Sequence, residues 1–171
     1  MLAWLRKYAV LIGEAILLVV VFLGISAYQA RNLLKTDRQA APALIAQTLE
    51  GESFSLSEST RKPALIYFFA PWCHICAASS GNIRRLRRMR DEDRLSIIMV
   101  GLDWQNVDEI RDYASKHDLN VPVLVGDAKI ATDWRIFGFP TYYVLDDQHR
   151  VVSRDFGYST QLGLWWRSWS P

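Results

Sequence analysis

The sequence predicts an α/β sandwich of three layers behind a single membrane-spanning N-terminal helix, and three observations predict it. Residues 63–70, PALIYFFA, and 94–103, RLSIIMVGLD, are nearly unbroken apolar runs of strand length, the pattern of strands covered on both faces by helices. Each is followed by a stretch whose apolar residues recur at helical spacing, so strands and helices alternate. Ahead of them, residues 8–28 form an apolar run long enough to supply the ~20 residues that a bilayer core requires.

Residues 1–7 contain Arg6 and Lys7 and read as a cytoplasmic flank, and YAVLIGEAILLVVVFLGISAY over 8–28 is the anchor. A cleaved signal peptide carries an apolar run of only ~7–15 residues, so length favours a retained helix, although Ser26 and Ala27 are small enough for cleavage nearby. Glu14 reads more readily as an acid close to the interface than as a functional group within the membrane. Residues 29–42 are polar and mixed, a linker ending at Pro42, and residues 43–171 form the folded domain.

Within the domain, ALIAQTLEGESFSLSE forms two short strands around the Glu50-Gly51 turn. After the strand over 63–70, Ile83, Leu86 and Met89 mark the inward face of a helix running from Cys73 to about Arg90. The strand over 94–103 leads to NVDEIRDYASKHD, 106–118, an amphipathic helix capped by Asn106 with Asp108 and Glu109 in its first turn. VPVLVGD is a short strand, AKIATDWRI a short helix, and TYYVLDDQHRVVSRDFG two strands joined at Asp146-Asp147. LGLWWRSW closes the chain, as a packed helix or, with its tryptophans exposed, as an interaction site.

The chain has 171 residues, half of them hydrophobic, and a net charge of +2. It is long enough for a core, too apolar for disorder, and carries no electrostatic case for nucleic acid as a partner. Its two cysteines, Cys73 and Cys76, stand together in FFAPWCHICAASS. A bridge across so short a gap restricts the unfolded chain little. Structural zinc takes four ligands, and His74, His117 and His149 supply no second closely spaced pair.

Redox chemistry, which needs neither metal nor cofactor, is the reading that survives. Cys73 falls where a buried strand gives way to a helix, the kind of crossover at which open α/β sheets place their chemistry. Free N–H groups and the macrodipole at a helix N-terminus stabilise a thiolate, and the thiolate is the nucleophile. Cys76, one turn on, faces the same side and can attack a mixed disulfide formed at Cys73. His74 adds positive charge beside the sulfurs when protonated, or little if it is simply solvated.

YFFAPWCHIC, a strand leading into Trp72 and C-x-x-C, and the later GFPTYYVLD resemble the thioredoxin superfamily over roughly residues 43–169. The anchor, AQTLEGESFSL and the ending DFGYSTQLGLWWRSW are most similar to membrane-anchored TlpA-like extracytoplasmic proteins, especially the suppressor-for-copper-sensitivity D type of protein disulfide oxidoreductase. The resemblance implies a thioredoxin-like α/β/α sandwich with a mixed central sheet and a redox-active Cys73–Cys76 disulfide. It implies thiols or disulfides of periplasmic proteins as partners, and a membrane redox partner. Carried over to matching positions, Cys73 is the nucleophile, Cys76 the resolving thiol, and Trp72, His74, Phe139 and Pro140 the substrate-facing surface, with Pro140 following a cis bond. Arg31, Lys35 and Arg38 follow the span, so the lysine and arginine bias leaves orientation open. A tethered dithiol is most useful where disulfides persist, which puts the chain in the inner (cytoplasmic) membrane as a single-pass protein with its catalytic domain in the periplasm.

Several positions depart from the family pattern. Thioredoxins carry an aspartate where this chain has Tyr67, and some TlpA-like reductases a glutamate where it has Ser79, so proton transfer at Cys76 falls to water, a hydroxyl or another group. Gly81 replaces a helix-kinking proline and still permits a bend. Phe139 puts a large ring before the proline and is expected to narrow substrate choice and shield the sulfurs. Copper(I) handling through the same cysteines is the alternative function, since soft thiolates select that ion. Peroxidase chemistry is weaker, because Ala70 stands three residues before Cys73 where that motif needs a hydroxyl. The arginines of IRRLRRMR read as a solvated helix face, with contact to anionic lipid or an acidic partner as the other reading. Whether the pair reduces, oxidises or isomerises depends on its potential against its partners.

Overall fold

The structure is a computed structural model that describes residues 12–14, 16–18, 20–21, 24–25, 28, 31–59 and 61–169. It divides into two units, Met1–Asn32 and Leu33–Pro171. In the first, the described residues from 12 to 28 are helical, and Ile16, Leu17, Leu18, Val20 and Val21 are exposed. Among the described residues no helix is long and apolar enough to cross a membrane. Much of the expected span over 8–28 lies outside those residues.

The second unit is built on one mixed sheet, as the resemblance implies. Among the described residues its strands are β1 (Ile45–Thr48), β2 (Ser53–Ser55), β3 (Ala64–Phe69), β4 (Ser96–Gly101), β5 (Val123–Val125), β6 (Thr141–Leu145) and β7 (Val151–Phe156), in the order β2-β1-β5-β4-β3-β6-β7. β3 pairs parallel with β4 and antiparallel with β6, and β4 continues parallel to β5. Every residue of β3 is buried, because helices cover both faces of the sheet.

The strand alternation of β3 divides the core in two. Leu65, Tyr67 and Phe69 face a layer made by α2 (His74–Met89), α3 (Val107–Lys116) and α5 (Gln161–Arg167), through Ile83, Leu86, Ile110, Tyr113 and Leu164. Ala64, Ile66 and Phe68 face the other layer, with Leu56 of α1 (Leu56–Ser59), Ile130 of α4 (Ala128–Asp133) and Trp134. The three expected layers are therefore present. Asn106 caps α3 as expected, its side chain accepting the Asp108 N–H at 3.0 Å.

Two expectations change. Residues 33–42, read as linker, are drawn into the domain: Leu33 and Leu34 are buried in the second layer, and the Arg154 guanidinium donates to both their carbonyls. Two adjacent leucines carry more apolar surface than a solvated linker can leave in water, and they pack in the cluster that contains Tyr143, whose hydroxyl accepts the Leu34 N–H at 3.3 Å. Met89, expected inward, is 55 % exposed. The last turn of α2 lies beside α5, where the Gln161 side-chain amide donates to the Met89 sulfur.

Candidate functional site

Cys73 is the N-cap residue of α2, immediately beyond the loop that leaves β3. Its extended backbone turns the side chain back over the first helical turn, where Sγ accepts the Cys76 N–H at 3.1 Å. Cys73 and Cys76 are joined in a disulfide, with Cα atoms 5.2 Å apart. Cys76 is wholly buried and Cys73 nearly so, which makes Cys73 the sulfur that a partner can reach.

Of the other expected residues, Trp72 is 60 % exposed and held by its indole N–H, which donates to the Asp103 carbonyl and carboxylate, each at 3.1 Å. Phe139 meets Trp72 edge to face at 5.9 Å and packs against the cluster that contains both cysteines. The Phe139–Pro140 bond is cis and Pro140 is buried. His74 is exposed on the first turn of α2. The structure thus brings Trp72, Cys73, His74, Cys76 and Phe139 to one end of the sheet.

Beneath Cys76 lies a layer of hydroxyls where a carboxylate is absent. Tyr67 Oη and Ser80 Oγ both donate to the Cys76 carbonyl, at 3.1 and 3.0 Å, and Ser80 Oγ is 2.8 Å from Tyr113 Oη. Ser79 Oγ is close enough to Tyr67 and Tyr142 to influence both, but makes no hydrogen bond of ordinary geometry. Burial pushes the Tyr67 phenol well above its ordinary value, with Tyr142 and Tyr113 adding to the rise. Tyr113 and Tyr142 are pushed up to about 12, again chiefly by burial. All three remain neutral at physiological pH. The buried carboxylate among the described residues, Asp146, sits beyond the opposite end of β6, bound to Arg150 at 2.8 Å. Sequence reasoning noted the substitutions at Tyr67 and Ser79 but missed Ser80, Tyr113 and Asp103, which no motif marks.

Two grooves flank the Trp72–Phe139 ridge. One, about 660 Å³, opens beside Cys73 and His74 and is walled by Asp103, Trp104, Glu109 and Asp112. The other, about 540 Å³, is walled largely by apolar groups, among them Leu102, Ile136, Phe137 and Phe139. His117, in the first groove, is held below its ordinary pKa by burial and then by Lys116 and Arg84, so it is neutral at pH 7. Among the described residues no group of three or more His, Cys, Asp or Glu side chains is gathered as a metal site would need. The geometry therefore offers the copper(I) reading no support beyond the two thiols.

Residues 38–154 match the AhpC/TSA family. The chain belongs to this family. Thioredoxin-like protein YneN of Bacillus subtilis is 28% identical over 162 residues, covering 92% of this chain and 94% of its own length. A thiol:disulfide interchange protein of Paracoccus denitrificans, a DsbE homolog, is 26% identical over 153 residues, covering 81% and 82%. A crystal structure of a DsbF homologue from Corynebacterium diphtheriae has the same fold, with a TM-score of 0.70 at 18% identity, covering 79% of this chain and 88% of that one. With its Cys73–Cys76 disulfide in a thioredoxin-like fold, this AhpC/TSA member is a thiol–disulfide oxidoreductase. At the position where a peroxidase needs a hydroxyl it has Ala70, whose carbonyl accepts the Cys73 N–H at 3.0 Å.

Proposed function

We propose that this AhpC/TSA member is a membrane-tethered oxidoreductase that exchanges disulfides with periplasmic proteins, of the TlpA-like, suppressor-for-copper-sensitivity D type. The observation that carries the exchange chemistry is the Cys73–Cys76 disulfide at the head of α2, with Cys73 slightly exposed beside a groove and Cys76 wholly buried. In the reduced protein, the Cys73 thiolate attacks a substrate disulfide. A Cys73–substrate bond forms, and one substrate sulfur leaves as a thiolate. Cys76 then loses its proton and attacks Cys73 Sγ, the mixed disulfide breaks, and the second substrate sulfur leaves. Two electrons pass to the substrate, whose two thiolates take up two protons. The reverse sequence oxidises a dithiol.

The protein contributes electrostatics and position. The α2 N-terminus and the Cys76 N–H stabilise negative charge on Cys73 Sγ. Tyr67 and Ser80 hold the Cys76 carbonyl, so the resolving thiol is positioned by neutral donors rather than activated by an adjacent base. Trp72, His74 and Phe139 form the surface on which substrate lies, and the buried Pro140 follows Phe139 through the cis bond. Support for tethering is the apolar run over 8–28, whose described residues are helical and exposed. Support for protein partners is the interchange activity in the name of the Paracoccus relative. A membrane redox partner would return the pair to its working state.

The test is the reactivity of Cys73 in the reduced, folded chain. Alkylation at neutral pH is expected to be faster than for free cysteine, and Cys76→Ser to accumulate a mixed disulfide that Cys73→Ser does not. Alkylation no faster than free cysteine overturns the reading. Fusions reporting on each side of the membrane test the location separately.

A further inference from the structure

We infer that the groove on the α3 side of Cys73 selects substrates carrying a lysine or arginine close to the reacting cysteine. This rests on the reading of Cys73 as the nucleophile and adds a substrate class to it. The groove is continuous with the sulfur: Cys73, His74 and Trp72 form one wall, and the loop after β4 with the outer face of α3 forms the other. It presents the carboxylates of Asp103, Glu109 and Asp112 against the single ammonium of Lys116, while His117 adds no charge at pH 7. Among the described residues none of the three carboxylates is in an ion pair.

Two of these carboxylates are held in place. Asp103 Oδ2 accepts the Trp72 indole N–H at 3.1 Å, and Glu109 Oε2 accepts the Gln105 N–H at 3.3 Å. Asp112 stands one turn beyond Glu109 on the same helix face. Complementing the helix dipole accounts for an acid in the first turn of α3, but not for Asp112 or for Asp103 in the preceding loop. Nor is the acidity a property of the whole surface. The chain is net positive, and of the α2 arginines Arg84 reaches the His117 end of the groove, donating to the His117 carbonyl at 3.2 Å and pairing with Asp118, while the others lie further along the helix from its head. The neighbouring groove is walled largely by apolar side chains and shares Asp103 with this one, its other carboxylate being Asp127, so of the two only the α3 groove sets carboxylates beside Cys73 itself. A cation beside the substrate sulfur has a second effect, since it stabilises the thiolate that departs.

The experiment uses the full chain carrying Cys76→Ser, reduced, with three peptides that differ in one residue beside a single cysteine: Lys, Gln or Glu. Each peptide sulfur is joined to an aromatic thiol. Cys73 thiolate attacks the peptide sulfur, the peptide–aromatic disulfide breaks, and the aromatic thiolate leaves with the electron pair and is read by absorbance. Rates are expected to fall from Lys through Gln to Glu, by about tenfold overall at low ionic strength, and to converge as salt is added. In the same background, E109Q with D112N is expected to shrink the Lys-to-Glu ratio to about threefold or less, and D112N alone to an intermediate value. Equal rates for the three peptides, or an unchanged ratio in both variants, overturn the inference and leave the nucleophile in place. Release from none of the peptides overturns Cys73 as nucleophile, and the inference with it.

Discussion

Phe139 lies edge-on to Trp72 and is packed on the cluster that contains the disulfide, and the proposed function puts it on the substrate's path. On that reading, a ring that also lines the second groove penalises substrates that cannot fit beside it. Phe139→Thr is expected to raise the exchange rate of the poorer of two unrelated substrate proteins by roughly tenfold relative to the better one. Parallel kinetics on the unsubstituted chain and the variant check this, and unchanged rates would refute it. Tyr67 shows the limit of reading single residues. Its identity announced that a carboxylate was missing, but that Ser80 joins it on the Cys76 carbonyl and Tyr113 joins Ser80 depends on how α2 and α3 lie on β3.

The elements were legible where local chemistry specifies them. α2 begins at the residue after Cys73 and runs unbroken past Gly81, so glycine there permits a bend without imposing one. α3 follows from its apolar period and from Asn106, whose side chain satisfies a first-turn N–H that the helix cannot. Asn106→Ala is expected to lower unfolding free energy by about 1 kcal/mol, measured by chemical denaturation. No loss would mean that packing of Ile110 and Tyr113 alone holds the helix end. α5 answers the question left open by the tail. Leu164 is buried while Leu162 and Trp166, 78 % and 77 % exposed, are not, so the helix is packed and still presents apolar surface.

For the whole molecule, buried phenols set the alkaline limit of stability. Tyr113, Tyr142 and Tyr143 are each pushed up to about 12 by burial, against about 10 for an unfolded tyrosine. The folded state holds those protons more tightly than the unfolded one. Their contribution is complete below pH 10 and is lost as pH rises through about 12. Unfolding free energy is therefore expected to stay level up to about pH 10 and then fall, with of order 2 kcal/mol at stake for each phenol. Denaturation midpoints measured beside phenolate absorbance test it: ionisation of every tyrosine near pH 10 without loss of structure would contradict it.

By itself the sequence determined the order of strands and helices, the layered α/β class and the redox pair, because periodicity, helix caps and a two-cysteine spacing act over a few residues. It also pointed to Pro140 and Phe139 through a family likeness. Only the tertiary structure decided that Leu33 and Leu34 belong to the core, that hydroxyls rather than a carboxylate lie under Cys76, and that Asp103, Glu109 and Asp112 share a groove with Cys73. Those placements depend on strand register and on how helices seat on the sheet. Both are set by the fit of side chains far apart in the chain.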